Sequence, residues 1–211
     1  MKIIELSGIT NLQPVSGTNE WYWSTDYIHG DLYEVEELFR MGKDPHCNSF
    51  YLIRYPDGKI FQPFTPKDGR YIGTPVYADG KIFFVLAAFP QGCISIIGFD
   101  SQQKECSQIA QLPLNEVEDC YNLLLHTSPL MLSRHSGDIF EIVWPERRRF
   151  SVGIREALNF RQGDRLYFTA WYEDPDYREE TVVRAVADGT VLETFPGDIR
   201  IMPNGDKWLL R

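Results

Sequence analysis

The chain has 211 residues, 43% of them apolar and 24% charged. That is enough for a sizeable core and excludes a disordered chain. A net charge of −9 turns most of the surface against a phosphate backbone, so nucleic acid is not an expected partner. Nowhere do 18 apolar residues run together, so no membrane-spanning helix is expected.

The first ten residues, MKIIELSGIT, hold one lysine and too short an apolar run for a secretory leader. Cys47, Cys93, Cys106 and Cys120 form no CxxC pair and no metal-type spacing. They read as four reduced thiols of a cytoplasmic protein, with two disulfides of a secreted one as the alternative. No Asn-x-Ser/Thr acceptor occurs, in keeping with the cytoplasm. No Gly-rich phosphate loop or dinucleotide fingerprint is present, and no cofactor is expected.

In chain order, residues 2–6 and 9–14 read as short strands broken at Ser7-Gly8. The next unit, 19–66, predicts strands at 21–27, 32–39, 49–55 and 60–64, with turns at His29-Gly30-Asp31 and Pro56-Asp57-Gly58. Residues 32–39 are ambiguous, because Leu32, Val35, Leu38 and Phe39 fall at helical spacing and Gly42 suits a C-cap. Their place between two turns, matching IFFVLAAF in the following unit, favours a strand.

Residues 73–113 give the clearest unit. Strands at 74–77, 82–89, 93–99 and 107–112 are separated by Asp79-Gly80, Pro90-Gln91-Gly92 and 100–104. Asp-Gly between apolar runs is the strongest short-range hairpin signal, since both central residues need φ > 0. After a connector with one short helical turn, 121–152 predicts strands at 122–127, 130–134, 139–144 and 149–152. The unit 156–197 predicts 157–160, 166–172, 181–186 and 191–195. A last strand pair flanks Asn204-Gly205-Asp206 within 198–211.

The turns between third and fourth strands, at Asp57, Ser101, Pro145 and Asp188, lie 44, 44 and 43 residues apart. Chance hairpins would not hold one period. Four-stranded units at this spacing resemble the blades of β-propellers, and a five-bladed one in particular, with 198–211 completed by 1–15 to close the ring. Neither the WD40 signature nor a kelch glycine pair occurs, so the resemblance is to an architecture and names no family. The expectation is one all-β domain over 1–211, with a two-sheet β-sandwich as the competing fold.

The resemblance implies that ligands bind where inter-blade entries and the loops between second and third strands meet at one channel mouth. It gathers Trp21, Trp23, Tyr121, Asn122 and Arg200 with the longer loops 40–48, 89–93 and 171–180. The stretch WYEDPDYREE sets Trp171, Tyr172 and Tyr177 beside Glu173, Asp174, Asp176, Glu179 and Glu180. Aromatic faces next to carboxylates suit a sugar or a cationic ligand. The bland reading is a solvated hairpin whose rings cover a neighbouring blade.

Glu156 and Asp198 open consecutive first strands and, with Asp26 as a third acid, could supply acid and base for glycoside hydrolysis. Acids beside turns are also ordinary loop formers. The four histidines are scattered and suit hydrogen bonding better than a metal cage. Three roles stay open: a non-catalytic module binding a small molecule or a protein, a glycoside-active enzyme, or a structural subunit.

Overall fold

The computed structural model describes residues 2–26, 30–202 and 205–211. Strands hold 51% of the chain and helices 7%, which places it in the all-β class. It divides into two compact units, 1–120 and 121–211.

The first unit holds two antiparallel sheets. One is built in the order β1 (Gln13–Pro14), β2 (Trp21–Thr25), β3 (Phe50–Arg54), β4 (Lys59–Phe61). Gln13 faces Trp23, so the N-terminal strand expected beside the C-terminal residues belongs to this sheet. Residues 2–6 form no strand; the Lys2 ammonium donates to the carbonyls of Pro56 and Asp57 at 2.9 and 2.7 Å. The end of the strand expected at 21–27 and its turn at His29 lie outside the described residues.

Residues 32–40 are not the expected strand but a helix, α1 (Leu32–Arg40). Asp31 Oδ1 accepts from the amides of Tyr33 and Glu34 at 2.9 and 3.0 Å, and Glu34 Oε2 accepts from the Asp31 amide at 2.8 Å. This reciprocal capping box satisfies donors that a helix start otherwise leaves bare. At the other end Gly42, at φ +77°, donates to Phe39 O, and Lys43 donates to Leu38 O, a Schellman stop. Six of its nine residues are Leu, Glu or Arg, with Val35 its single β-branched residue.

The second sheet contains β5 (Arg70–Ile72), β6 (Val76–Ala78), β7 (Lys81–Ala88), β8 (Cys93–Asp100) and β9 (Glu105–Pro113). Both β5 and β6 pair with β7, so one edge of this sheet is two short strands. The β6–β7 turn has Asp79 at φ +48° and Gly80 at φ +78°, as its Asp-Gly sequence requires. A core forms from Trp21, Trp23, Phe50, Leu52, Phe84 and Ile97 with their neighbours. The outer strand β9 is mostly exposed and polar, which discourages further strand addition.

The second unit holds β10 (Leu124–Thr127), β11 (Leu130–Ser136), β12 (Ile139–Trp144) and β13 (Arg148–Ser151) as one antiparallel sheet. A second comprises β14 (Glu156–Gln162), β15 (Arg165–Tyr172), β16 (Arg178–Ala185) and β17 (Val191–Pro196). The pair β18 (Asp198–Ile201) and β19 (Lys207–Leu210) forms a two-stranded sheet. Asn204, part of their expected turn, lies outside the described residues. Met131, Phe140, Leu166, Phe168 and Val182 anchor the core of this unit. No helix among the described residues is long and apolar enough to cross a membrane.

Candidate functional site

Strand register decides which side chains of the β15–β16 hairpin can act together. Trp171 lies opposite Glu179, and Tyr172 opposite Arg178. Successive residues of a strand point to opposite faces, so the two rings expected side by side are separated by the sheet. On one face Tyr172 is flanked by guanidinium groups, Arg178 at 4.2 Å and Arg155 at 5.2 Å from its ring centre. Arg178 also donates from Nε to Glu180 Oε1 at 3.3 Å.

The other face carries Trp171, 45% exposed, and Glu179. Tyr177, 68% exposed, donates its hydroxyl to Glu179 Oε1 at 2.7 Å. That bond and the carboxylate charge hold the phenol above its usual pKa, while Arg200 and Asp198 act on it from β18. The chain enters β18 against β16: the Gly197 amide donates to Glu179 O at 2.8 Å, and Thr181 Oγ1 donates to Gly197 O at 2.8 Å. Asp198 is 2% exposed, accepting from Thr169 Oγ1 at 2.5 Å and from Arg200 Nε at 2.7 Å. The Arg200 side chain remains 61% exposed. Two open rings, a carboxylate and a half-neutralised guanidinium therefore share one surface. Glu173 and Asp174 are exposed in the connecting loop.

Glu156 sits differently. Arg184 grips it from Nε and Nη2 at 2.7 and 2.8 Å, and the Gly153 amide donates to it at 3.0 Å. Both side chains are buried or nearly so, and Arg184 Nη1 is spent on Gly189 O at 2.7 Å. Tyr121 is 45% exposed, and the Asn122 side chain donates to His135 O at 3.2 Å.

Of the residues expected at the mouth from the first unit, Trp21 and Trp23 are core. They are 4% and 3% exposed and pack on Phe61 and Phe50. Asp26 accepts from the Ser49 amide at 3.0 Å, and its Oδ1 is buried without a partner. His126 Nε2 meets Ser133 Oγ at 2.7 Å, and burial lowers its pKa to about 4. All four cysteines are free, Cys47 and Cys120 buried and Cys106 exposed. Among the described residues no three His, Cys, Asp or Glu side chains converge as a metal site would need.

Sequence reading took 171–180 as one cluster, Tyr177 and Glu179 included, without dividing it between faces, and it passed over Arg155. Strand pairing across the 173–177 loop is the signal that divides the cluster, because it assigns each side chain a face.

No protein-family model and no curated protein matches the chain. A solved structure described as a candidate 6-phosphogluconolactonase from Bacteroides uniformis is similar at a TM-score of 0.40 and 12% identity, over 92% of this chain and 61% of that one. The chain thus spans about three-fifths of that structure's length.

Proposed function

We propose that the chain is a non-catalytic binding module whose ligand, a sugar, lies across the Trp171–Tyr177 face. The observation that carries this reading is the joint exposure of the two rings beside Glu179 and the Asp198–Arg200 pair. A pyranose stacks its C–H face on such rings and exchanges hydrogen bonds with a carboxylate and a guanidinium. Hydrolysis is disfavoured because Glu156 and Asp198 both spend their oxygens on arginine and other donors.

The proposal includes the five-bladed propeller suggested by the 44-residue period, supported by sheets that run as consecutive meanders. The four unpaired thiols support a reducing, cytoplasmic setting.

Thermal unfolding against a panel of mono- and oligosaccharides tests the reading. A sugar at about 100 times its Kd adds about 2.7 kcal/mol to the native state. That stabilisation should vanish in Trp171→Ala and in Arg200→Ala. A panel without any shift, or a shift that survives Trp171→Ala, would sink the proposal.

A further inference from the structure

The face of the β15–β16 hairpin turned away from Trp171 carries groups that the sugar-binding reading does not use. Tyr172 packs against the core of the second unit, which fixes its ring. Arg178 stands opposite it on β16, and Arg155 reaches it from the turn that leads into β14. That turn is pinned. The Glu156 amide donates to Gly153 O at 2.9 Å, the Gly153 amide donates to Glu156 Oε1 at 3.0 Å, and Arg184 holds the same carboxylate. Strand register and a closed turn therefore set the backbone beneath all three groups.

The two guanidinium centres lie 4.2 and 5.2 Å from one ring centre. They are thus less than about 10 Å apart, within a Debye length at 0.1 M salt. The ring attracts each of them, but the two like charges repel. Arg178 is partly neutralised by Glu180, to which its Nε donates at 3.3 Å. Its Nη1 donates to a main-chain carbonyl, Asp174 O, at 3.5 Å. Arg155 has neither an ion pair nor a hydrogen bond among the described residues, although the chain holds 30 acids against 21 basic residues. The Tyr172 hydroxyl makes no hydrogen bond among them either. One uncommitted guanidinium, one half-committed guanidinium and a phenol O–H therefore share a face on which donors are in excess.

We infer that this face binds a small phosphomonoester, its dianionic head held by Arg155 and Arg178 with the Tyr172 hydroxyl as third donor. Guanidinium forks match phosphate oxygens, and a tetrahedral dianion has oxygens enough for all three donors. Its charge also removes the repulsion between the two arginines. A carboxylate brings half that charge and one oxygen fewer, and a neutral alcohol brings no charge at all.

Calorimetric titration with phenyl phosphate, benzoate and benzyl alcohol tests the assignment. Phenyl phosphate should saturate one site, bind at least about tenfold more tightly than benzoate, and weaken as salt is raised. Its affinity should also fall as pH drops below about 6, where the phosphate takes up its second proton and arginine stays charged. Arg155→Ala, a change at an exposed side chain with no polar partner, should weaken phenyl phosphate about tenfold. Tyr172→Phe keeps the ring and should weaken it about threefold. Trp171→Ala, on the opposite face, should leave this isotherm unchanged, so failure here is separable from failure of the sugar site. Equal affinity for phenyl phosphate and benzyl alcohol overturns the inference. So does an unchanged isotherm in Arg155→Ala, a loss in Trp171→Ala, or no phenyl phosphate binding up to about 10 mM.

Discussion

Of the second unit's buried carboxylates tied to an arginine, Glu156 and Asp198 sit in contrasting surroundings. Glu156 meets Arg184 through two bonds, with 12% of the arginine side chain exposed. Asp198 meets Arg200 through Nε, with 61% of that side chain exposed. The first pair is closed: charge cancels charge, and the remaining donor is spent on Gly189 O. The second pair is open, with its acid fixed from beneath by Thr169 and the outer edge of its guanidinium left to solvent. Burial of the base, more than presence of the acid, separates the closed pair from the open one.

The largest effect should come from breaking the closed pair. Arg184→Ala leaves Glu156 charged in a buried site with only the Gly153 amide for support, and should cost about 3 kcal/mol or more in chemical denaturation. Replacing both, as Glu156→Leu with Arg184→Met, should recover most of that loss, because no unpaired charge is left behind. A loss under about 0.5 kcal/mol in Arg184→Ala would erase the contrast between the pairs.

A pH series sharpens the comparison by removing a third buried group from it. The pKa of His126 is about 4 in the folded chain, against 6.5 for the free side chain. The fold favours its neutral form, so its contribution is complete above pH 6.5 and is lost as pH falls through about 4. Stability should fall by on the order of 2 kcal/mol across that window, and His126→Gln should flatten the fall. The slope should be the same in Arg184→Ala and Arg200→Ala.

Opening the exposed pair should cost less. Arg200→Ala is expected to lower stability by about 1 kcal/mol, since Thr169 still serves Asp198 and water reaches the vacated edge. It should nevertheless abolish sugar binding. The smallest stability change belongs to Trp171→Ala, within about 0.5 kcal/mol, because the ring is half-exposed.

Much of the fold was readable where turn chemistry dictates it. Asp79-Gly80 demanded two positive φ angles, and β7 follows from that turn. Residues 32–40 misled, because a period argument placed a strand where Asp31 and Glu34 cap a helix. The spacing Asp-x-x-Glu was present, and local capping outweighed the analogy with IFFVLAAF.

The candidate site was half-readable. WYEDPDYREE marked a hairpin with exposed rings, but composition alone put Trp171 and Tyr172 together, whereas a period of two sends them to opposite faces. Trp21 and Trp23 share one face of β2 for the same reason, and that face is core. Which face of a strand is covered depends on the neighbouring sheet, and that information does not reside in the strand's own residues.

The chain has five tryptophans, and ring-nitrogen labelling gives each indole its own NMR signal. Titrating labelled protein with the sugar panel, with signals assigned by substitution, locates the ligand without relying on stability. The account predicts a saturable shift of the Trp171 signal, with Trp21 and Trp23 unmoved in the core of the first unit. Shifts at Trp21 or Trp23 with Trp171 silent, or no indole shift with any sugar, would contradict it.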